Sequence, residues 1–205
     1  MRPALEPEGG SSGGAAKNRQ TWLNIDAASV VKAAYGRAYQ LSDSRVDVKA
    51  TLPATRLDVA IWAPPGDIRR FRQLVEAGLG GAFGLAARTE DREVDVLLLK
   101  VRDAGTLKLT PTASTGGSMM RTKREPDREI ATVINQTAAG LADLLESRLG
   151  APVLDETGLT GGYDFDIVLP KDLKQARESL RPFGLSLEPA RRRLTYLVVE
   201  AEGTD

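Results

Sequence analysis

The chain has 205 residues, 41% of them hydrophobic and 27% charged, which is ordinary for a globular protein. Its 28 basic and 28 acidic side chains balance, so it has no basic excess of the kind that nucleic acid or an anionic membrane attracts. It has no histidine and no cysteine, which excludes disulfides and thiolate chemistry and argues against classical hydrolase, redox and zinc sites. Carboxylate, lysine or tyrosine chemistry and an oxygen-ligand calcium site stay open.

Residues 1–20, MRPALEPEGGSSGGAAKNRQ, read as a flexible Gly/Ser/Pro linker with no signal-peptide core. No run of about 18 apolar residues marks a transmembrane helix. Order is expected from Thr21. Trp22, Leu23 and Ile25 suggest a strand, and Asp26 suits the N-cap of a helix carrying Val30, Val31, Ala34, Tyr35 and Ala38. A strand near Arg45–Thr51 and another over Arg56–Trp62 follow. Pro64-Pro65-Gly66-Asp67 ends the second and caps a helix with Ile68, Phe71, Leu74, Val75 and Leu79 on one face; Gly80-Gly81 stops it. Strands Phe83–Arg88 and Val94–Val101 are expected around a polar turn, Thr89–Glu93. Residues 103–128, poor in core formers, read as an exposed loop.

The second half opens with a strand over Glu129–Asn135. Thr137 caps a helix with Leu141, Leu144, Leu145 and Leu149, and Gly150 ends it. A short strand, Pro152–Leu154, a turn, Thr157–Gly162, and a strand, Tyr163–Leu169, lead to a helix from Pro170 to Leu180. A hairpin closes the chain, with strands Leu185–Glu188 and Leu194–Ala201. The two halves share one element order. Phe83-Gly84-Leu85 recurs as Phe183-Gly184-Leu185, and the same offset pairs Arg92 with Arg192 and Leu97 with Leu197. Asp58 precedes Pro64 as Asp164 precedes Pro170. An internal duplication is therefore expected. The fold class is α+β: two tandem related modules, 21–102 and 129–202, each a small mostly antiparallel sheet with helices packed on one face.

Asp155-Glu-Thr157-Gly158-Leu159-Thr-Gly161-Gly-Tyr163-Asp164-Phe165 resembles the signature of a bacterial family, the acidobacterial "Soli" family of conserved hypothetical proteins, or domain of unknown function 3738. Gly140–Leu145, Gly150–Leu154 and Leu197-Val198-Val199 resemble its flanks, and the likeness runs from Trp22 to Ala201. The chain departs from that pattern in lacking a Gly-Pro-x-Trp turn. It also has Ala82-Phe83-Gly84-Leu85 where the family carries Arg-Phe-x-Leu. The resemblance marks Thr157, Gly158, Leu159, Gly161 and Tyr163 as the structural signature. It implies an extracytoplasmic setting, periplasmic or secreted, and supplies no catalytic residue.

Asp155, Glu156, Asp164 and Asp166 surround the glycine turn. Hard cations take several oxygen ligands, but the spacing is not that of an EF-hand. The plainer reading is a structural turn in which Gly158, Gly161 and Gly162 permit positive φ and Asp155 or Thr157 bonds local N–H groups. Asp164 and Asp166 share a strand face, as paired glycosidase carboxylates can, though a solvated face is the plainer reading. Arg191 and Arg192, with Arg193, suit a phosphate or carboxylate, or the charged tip of a hairpin. Lys123 and Arg124 fall in the loop. Trp22 and Trp62 suit a stacked ligand or, more simply, core.

No cofactor, metal or nucleic acid is expected. The function expected is a non-catalytic extracytoplasmic interaction or sensor module, binding a protein or envelope component through sheet edges or the central loop. The alternative is a carboxylate-dependent enzyme or calcium module at Asp155–Asp166.

Overall fold

The computed structural model describes residues 1–3, 10–14, 19–64, 66–102, 105 and 107–203. They divide into two units. Unit 1 comprises Met1–Arg92 and Leu194–Asp205, and unit 2 comprises Glu93–Arg193.

In unit 1 the chain forms β1 (Arg2–Pro3), β2 (Gly10–Gly14), β3 (Arg19–Asp26), α1 (Ala27–Tyr39), β4 (Val46–Val48), β5 (Arg56–Trp62) and α2 (Ile68–Val75). A π-helical turn, Glu76–Gly80, and α3 (Gly81–Phe83) extend α2. The first part of β6 (Leu85–Val101) completes this stretch. In unit 2 the rest of β6 is followed by β7 (Thr110–Pro111), β8 (Met119–Arg124), β9 (Glu129–Gln136), α4 (Ala138–Leu149), β10 (Val153–Asp155), β11 (Tyr163–Val168) and α5 (Leu173–Leu180). The first part of β12 (Leu185–Ala201) belongs to unit 2 and its end to unit 1.

The helices start where side chains satisfy orphan backbone donors. Asp26 accepts from Ser29 N–H at 2.8 Å, Asp67 from Arg70 at 2.9 Å, Thr137 from Gly140 at 3.0 Å and Asp172 from Gln175 at 2.8 Å. The Ser29 N–H holds the Asp26 carboxyl below its usual range. Gly150, at φ 65°, ends α4 in the left-handed conformation that glycine adopts without strain.

Each unit has an antiparallel sheet, ordered β1-β5-β3-β2 in unit 1 and β7-β11-β9-β8 in unit 2. Each also has a parallel pair. β4 lies along β12 with Val46 opposite Leu197, and β10 lies along β6 with Val153 opposite Leu97. The unit 1 core joins Val30, Ala34, Tyr35, Phe71, Leu197 and Val199, among others. The unit 2 core joins Leu97, Leu99, Leu141, Leu145, Ile167 and Leu180. Leu97 lies in the unit 2 core and Leu197 in the unit 1 core.

Five expectations are corrected. Thr89–Glu93 is not a turn, and Arg191–Arg193 is not a hairpin tip: β6 and β12 are each continuous over 17 residues. In both segments the charges sit on uninterrupted strand, whose solvent-facing positions accept polar side chains. Gly80-Gly81 does not end the helix, which runs to Phe83 and stops at Gly84 with φ 61°. The loop expected over 103–128 contains β7 and β8. The linker expected over 1–20 contains β1, β2 and the start of β3, while 4–9 and 15–18 lie outside the described residues. No described helix is long and apolar enough to cross a membrane.

Candidate functional site

The acidic turn of unit 2 was the leading candidate, and its carboxylates are directed to separate tasks. Asp155, at the end of β10, accepts from Thr157 N–H at 2.9 Å and from Thr157 Oγ1 at 2.7 Å. Thr157 Oγ1 in turn accepts from Leu159 N–H at 3.1 Å. These are Asx- and ST-type turns, in which short side chains substitute for missing backbone partners. Tyr163 Oη donates to Thr160 O at 3.1 Å, pinning the far side of the turn. Gly158 and Gly161 have φ of 68° and 96°. Gly162 does not have positive φ; it is small for another reason, since a Cβ there would run into Asn135 Oδ1.

Asp164 closes a β-bulge. The β9–β11 register shifts between Tyr163 and Phe165, Asn135 takes φ 54°, and its N–H donates to Asp164 Oδ1 at 2.8 Å. Unit 1 repeats the device. The β3–β5 register shifts between Trp22 and Ile25, Asn24 takes φ 46°, and its N–H donates to Asp58 Oδ1 at 3.0 Å. A bulge breaks the ladder locally and leaves a backbone donor without its strand partner. A carboxylate on the neighbouring strand supplies the acceptor, and asparagine tolerates the left-handed backbone.

Glu156 and Arg192 are brought together, with Arg192 Nη2 2.9 Å from Glu156 Oε1. Lys100 lies 3.9 Å from Glu156 and 3.0 Å from Glu188. In unit 1 the corresponding arginine, Arg92, lies 3.0 Å from Asp47, and its guanidinium sits 4.8 Å from the Tyr196 ring centroid. Arg191 lies 3.6 Å from the exposed Asp95. These arginines bind acids of their own unit, which explains them without an external anion.

Asp166 is exposed on β11, opposite Thr132 of β9, which in turn lies opposite Arg121 of β8. It lines a cleft of about 510 Å³ between β11 and α5, together with Arg128, Lys171 and Glu178. Asp155, Glu156 and Asp164 do not line that cleft. Among the described residues no three histidine, cysteine, aspartate or glutamate side chains group closely enough to hold a metal ion.

Trp22 is core, as expected, but Trp62 is 67% exposed. It borders an apolar cleft of about 380 Å³ in unit 1, with Met1, Ile61, Leu74 and Leu79.

The feature that sequence reasoning missed is β8, MMRTKR, whose six residues are all exposed. It is the terminal strand of its sheet, paired to β9 from Met119–Ile134 to Arg124–Glu129. Glu125 N–H donates to Arg128 O at 2.8 Å and closes the hairpin. Arg128, then Lys123, holds the Glu125 carboxyl below its usual range. The legible signal was Pro126-Asp127, a turn pair between this segment and the β-branched run of β9.

The model of the family described as "Protein of unknown function (DUF3738)" matches residues 25–201. The chain belongs to this family. No curated protein matches the chain, and no solved structure matches it. The DUF3738 match begins at Ile25 in β3 and ends at Ala201 in β12, so it covers both bulge carboxylates, the acidic turn and β8.

Proposed function

We propose that this chain is a non-catalytic interaction module that takes up a segment of another protein or envelope component by strand addition at the free edge of β8. The observation that carries the reading is an exposed six-residue strand at the end of an antiparallel sheet. Such an edge offers a row of unpaired N–H and C=O groups to an incoming strand. The second support is the engagement of Asp155, Glu156 and Asp164 in internal bonds, which weighs against a carboxylate-dependent enzyme or calcium site there. The proposal includes an extracytoplasmic setting, on the strength of the family likeness, and an origin by duplication. The duplication is supported by the recurrence of strand, helix, two strands, helix and long strand in both halves.

The test is site-specific photo-crosslinking from position 122 in envelope extracts, with position 95 as the control. A defined adduct at 122 that is lost on Met120→Pro is expected; identical adducts at both positions would refute the reading. Thermal melting in millimolar calcium, with chelator as reference, addresses the rival. Specific binding to the native state raises the melting temperature with ligand concentration, and an unchanged curve is expected.

A further inference from the structure

The chemistry of β8 goes further than its position. We infer that the strand it accepts presents acidic side chains to Arg121 and Lys123. This rests on the strand-addition reading above.

The hairpin-closing bond from Glu125 N–H to Arg128 O fixes the phase of the ladder. Hydrogen-bonded pairs alternate along an antiparallel ladder, so 119, 121 and 123 turn their backbone groups toward β9. Met120, Thr122 and Arg124 turn theirs outward, where an added strand would bond them. Side chains alternate as well. Met119, Arg121 and Lys123 lie opposite Ile134, Thr132 and Ile130, on the face away from the core residues Ala131 and Val133. Met120, 48% exposed, lies opposite Val133 on the other face.

The outer face of β8 therefore presents two cations, and Arg121 has no hydrogen bond or ion pair among the described residues. Lys123 is shared with Glu125 at 3.1 Å. Arg124, on the opposite face, is 85% exposed and 3.9 Å from Glu129. The strand itself contains three cations and no acid.

A second copy of this chain is the wrong partner, because antiparallel pairing of β8 with itself about Thr122 would set Arg121 of each copy against Lys123 of the other, and like charges directly opposite destabilise a sheet. An acidic strand meets the opposite condition. Cations also guard edges against aggregation, but the corresponding edge of unit 1, β2, reads GSSGG and carries no charge, so the position in the fold does not itself demand them. A nucleic acid strand suits the cations but not the exposed ladder, and the chain as a whole has no basic excess.

The probe is a short fluorescent peptide alternating Glu and Val, compared with one alternating Lys and Val, titrated against the full chain by anisotropy. The Glu peptide is expected to bind at least about tenfold more tightly than the Lys peptide and to weaken with salt. Thr122→Pro removes the central outward donor without touching the β8–β9 bonds, and it is expected to abolish binding. The double change Arg121→Glu and Lys123→Glu leaves the backbone intact and is expected to reverse the preference. Equal binding of both peptides, lost on Thr122→Pro, would overturn the acidic partner while leaving strand addition standing. Glu-peptide binding that survives Thr122→Pro would overturn both. Equal displacement by a single-stranded oligonucleotide would mean a general polyanion surface and overturn the inference. No binding of either peptide would mean an edge guarded against association only, overturning both readings.

Discussion

Removing the carboxylate of Asp58 tests the bulge clamp most directly. Asp58 is 7% exposed and accepts the buried Asn24 N–H at 3.0 Å. Truncation to alanine leaves that donor unpaired in the interior, at a cost of about 1–3 kcal/mol. It also withdraws one of the contacts that hold Asn24 at φ 46°, beside the Arg56 guanidinium that donates to its Oδ1 at 2.6 Å; that conformation costs on the order of 1 kcal/mol when unsupported. The Arg2 ion pair, 3.2 Å long but with the arginine 61% exposed, adds little. Asp58→Ala should therefore cost roughly 2–4 kcal/mol. In a chain of this length that lowers the melting temperature by roughly 4–16 °C. Asp164, half-buried and holding Asn135 in the same way, should cost about 1–2 kcal/mol when cut to alanine.

Asparagine at either position keeps an Oδ1 acceptor and should recover most of the loss. The assay is urea unfolding followed by circular dichroism and by tryptophan fluorescence, because coincident transitions are needed before one free energy is assigned to two units. Asp58→Ala as stable as the parent, or Asp58→Asn as damaging as Asp58→Ala, would refute the clamp.

Tyr35→Phe should leave stability unchanged or raise it by up to ~1 kcal/mol, because the buried hydroxyl has no hydrogen-bond partner among the described residues; a large loss in urea unfolding would contradict this. Burial, then the Glu76 charge and Tyr39, pushes the Tyr35 hydroxyl up to about 12. The folded state therefore holds that proton more tightly than the unfolded chain. Its contribution is fully present below the unfolded value near ~10 and is lost as pH rises through 12, a loss that Tyr35→Phe should reduce when unfolding is compared at pH ~9 and ~11. Gly162→Ala should destabilise by roughly 1–3 kcal/mol through the clash with Asn135. Pairing it with Asn135→Gly should restore much of that, as read by the same urea unfolding.

The helices were legible because their signals are local. Asp26, Asp67 and Thr137 cap where short polar side chains precede apolar helical spacing. The limits of β6 and β12 were harder to read. A polar stretch inside a strand looks like a turn when only composition is weighed, and only the pairing between distant segments shows that Thr89–Glu93 stays extended. β8 was hidden for a related reason: an edge strand exposed on both faces lacks the alternation that marks a half-buried one. At the acidic turn, the Asp155–Thr157 bonding was readable from spacing. The task of Asp164 was not, because its partner is a backbone donor 29 residues earlier and a bulge leaves no simple sequence mark. Gly162 reads from the sequence as a backbone position, whereas its constraint is a neighbouring side chain.

Because β6 and β12 each contribute to both units, neither half of the gene encodes a self-sufficient body. Residues 105–203 expressed alone would carry Leu197, Val198 and Val199, fully buried in the intact protein, on a tail with nothing to cover it. Such an orphaned ribbon must aggregate or trade ends with a twin, so the sensible cut points for truncation lie outside the repeat boundary that the sequence suggests.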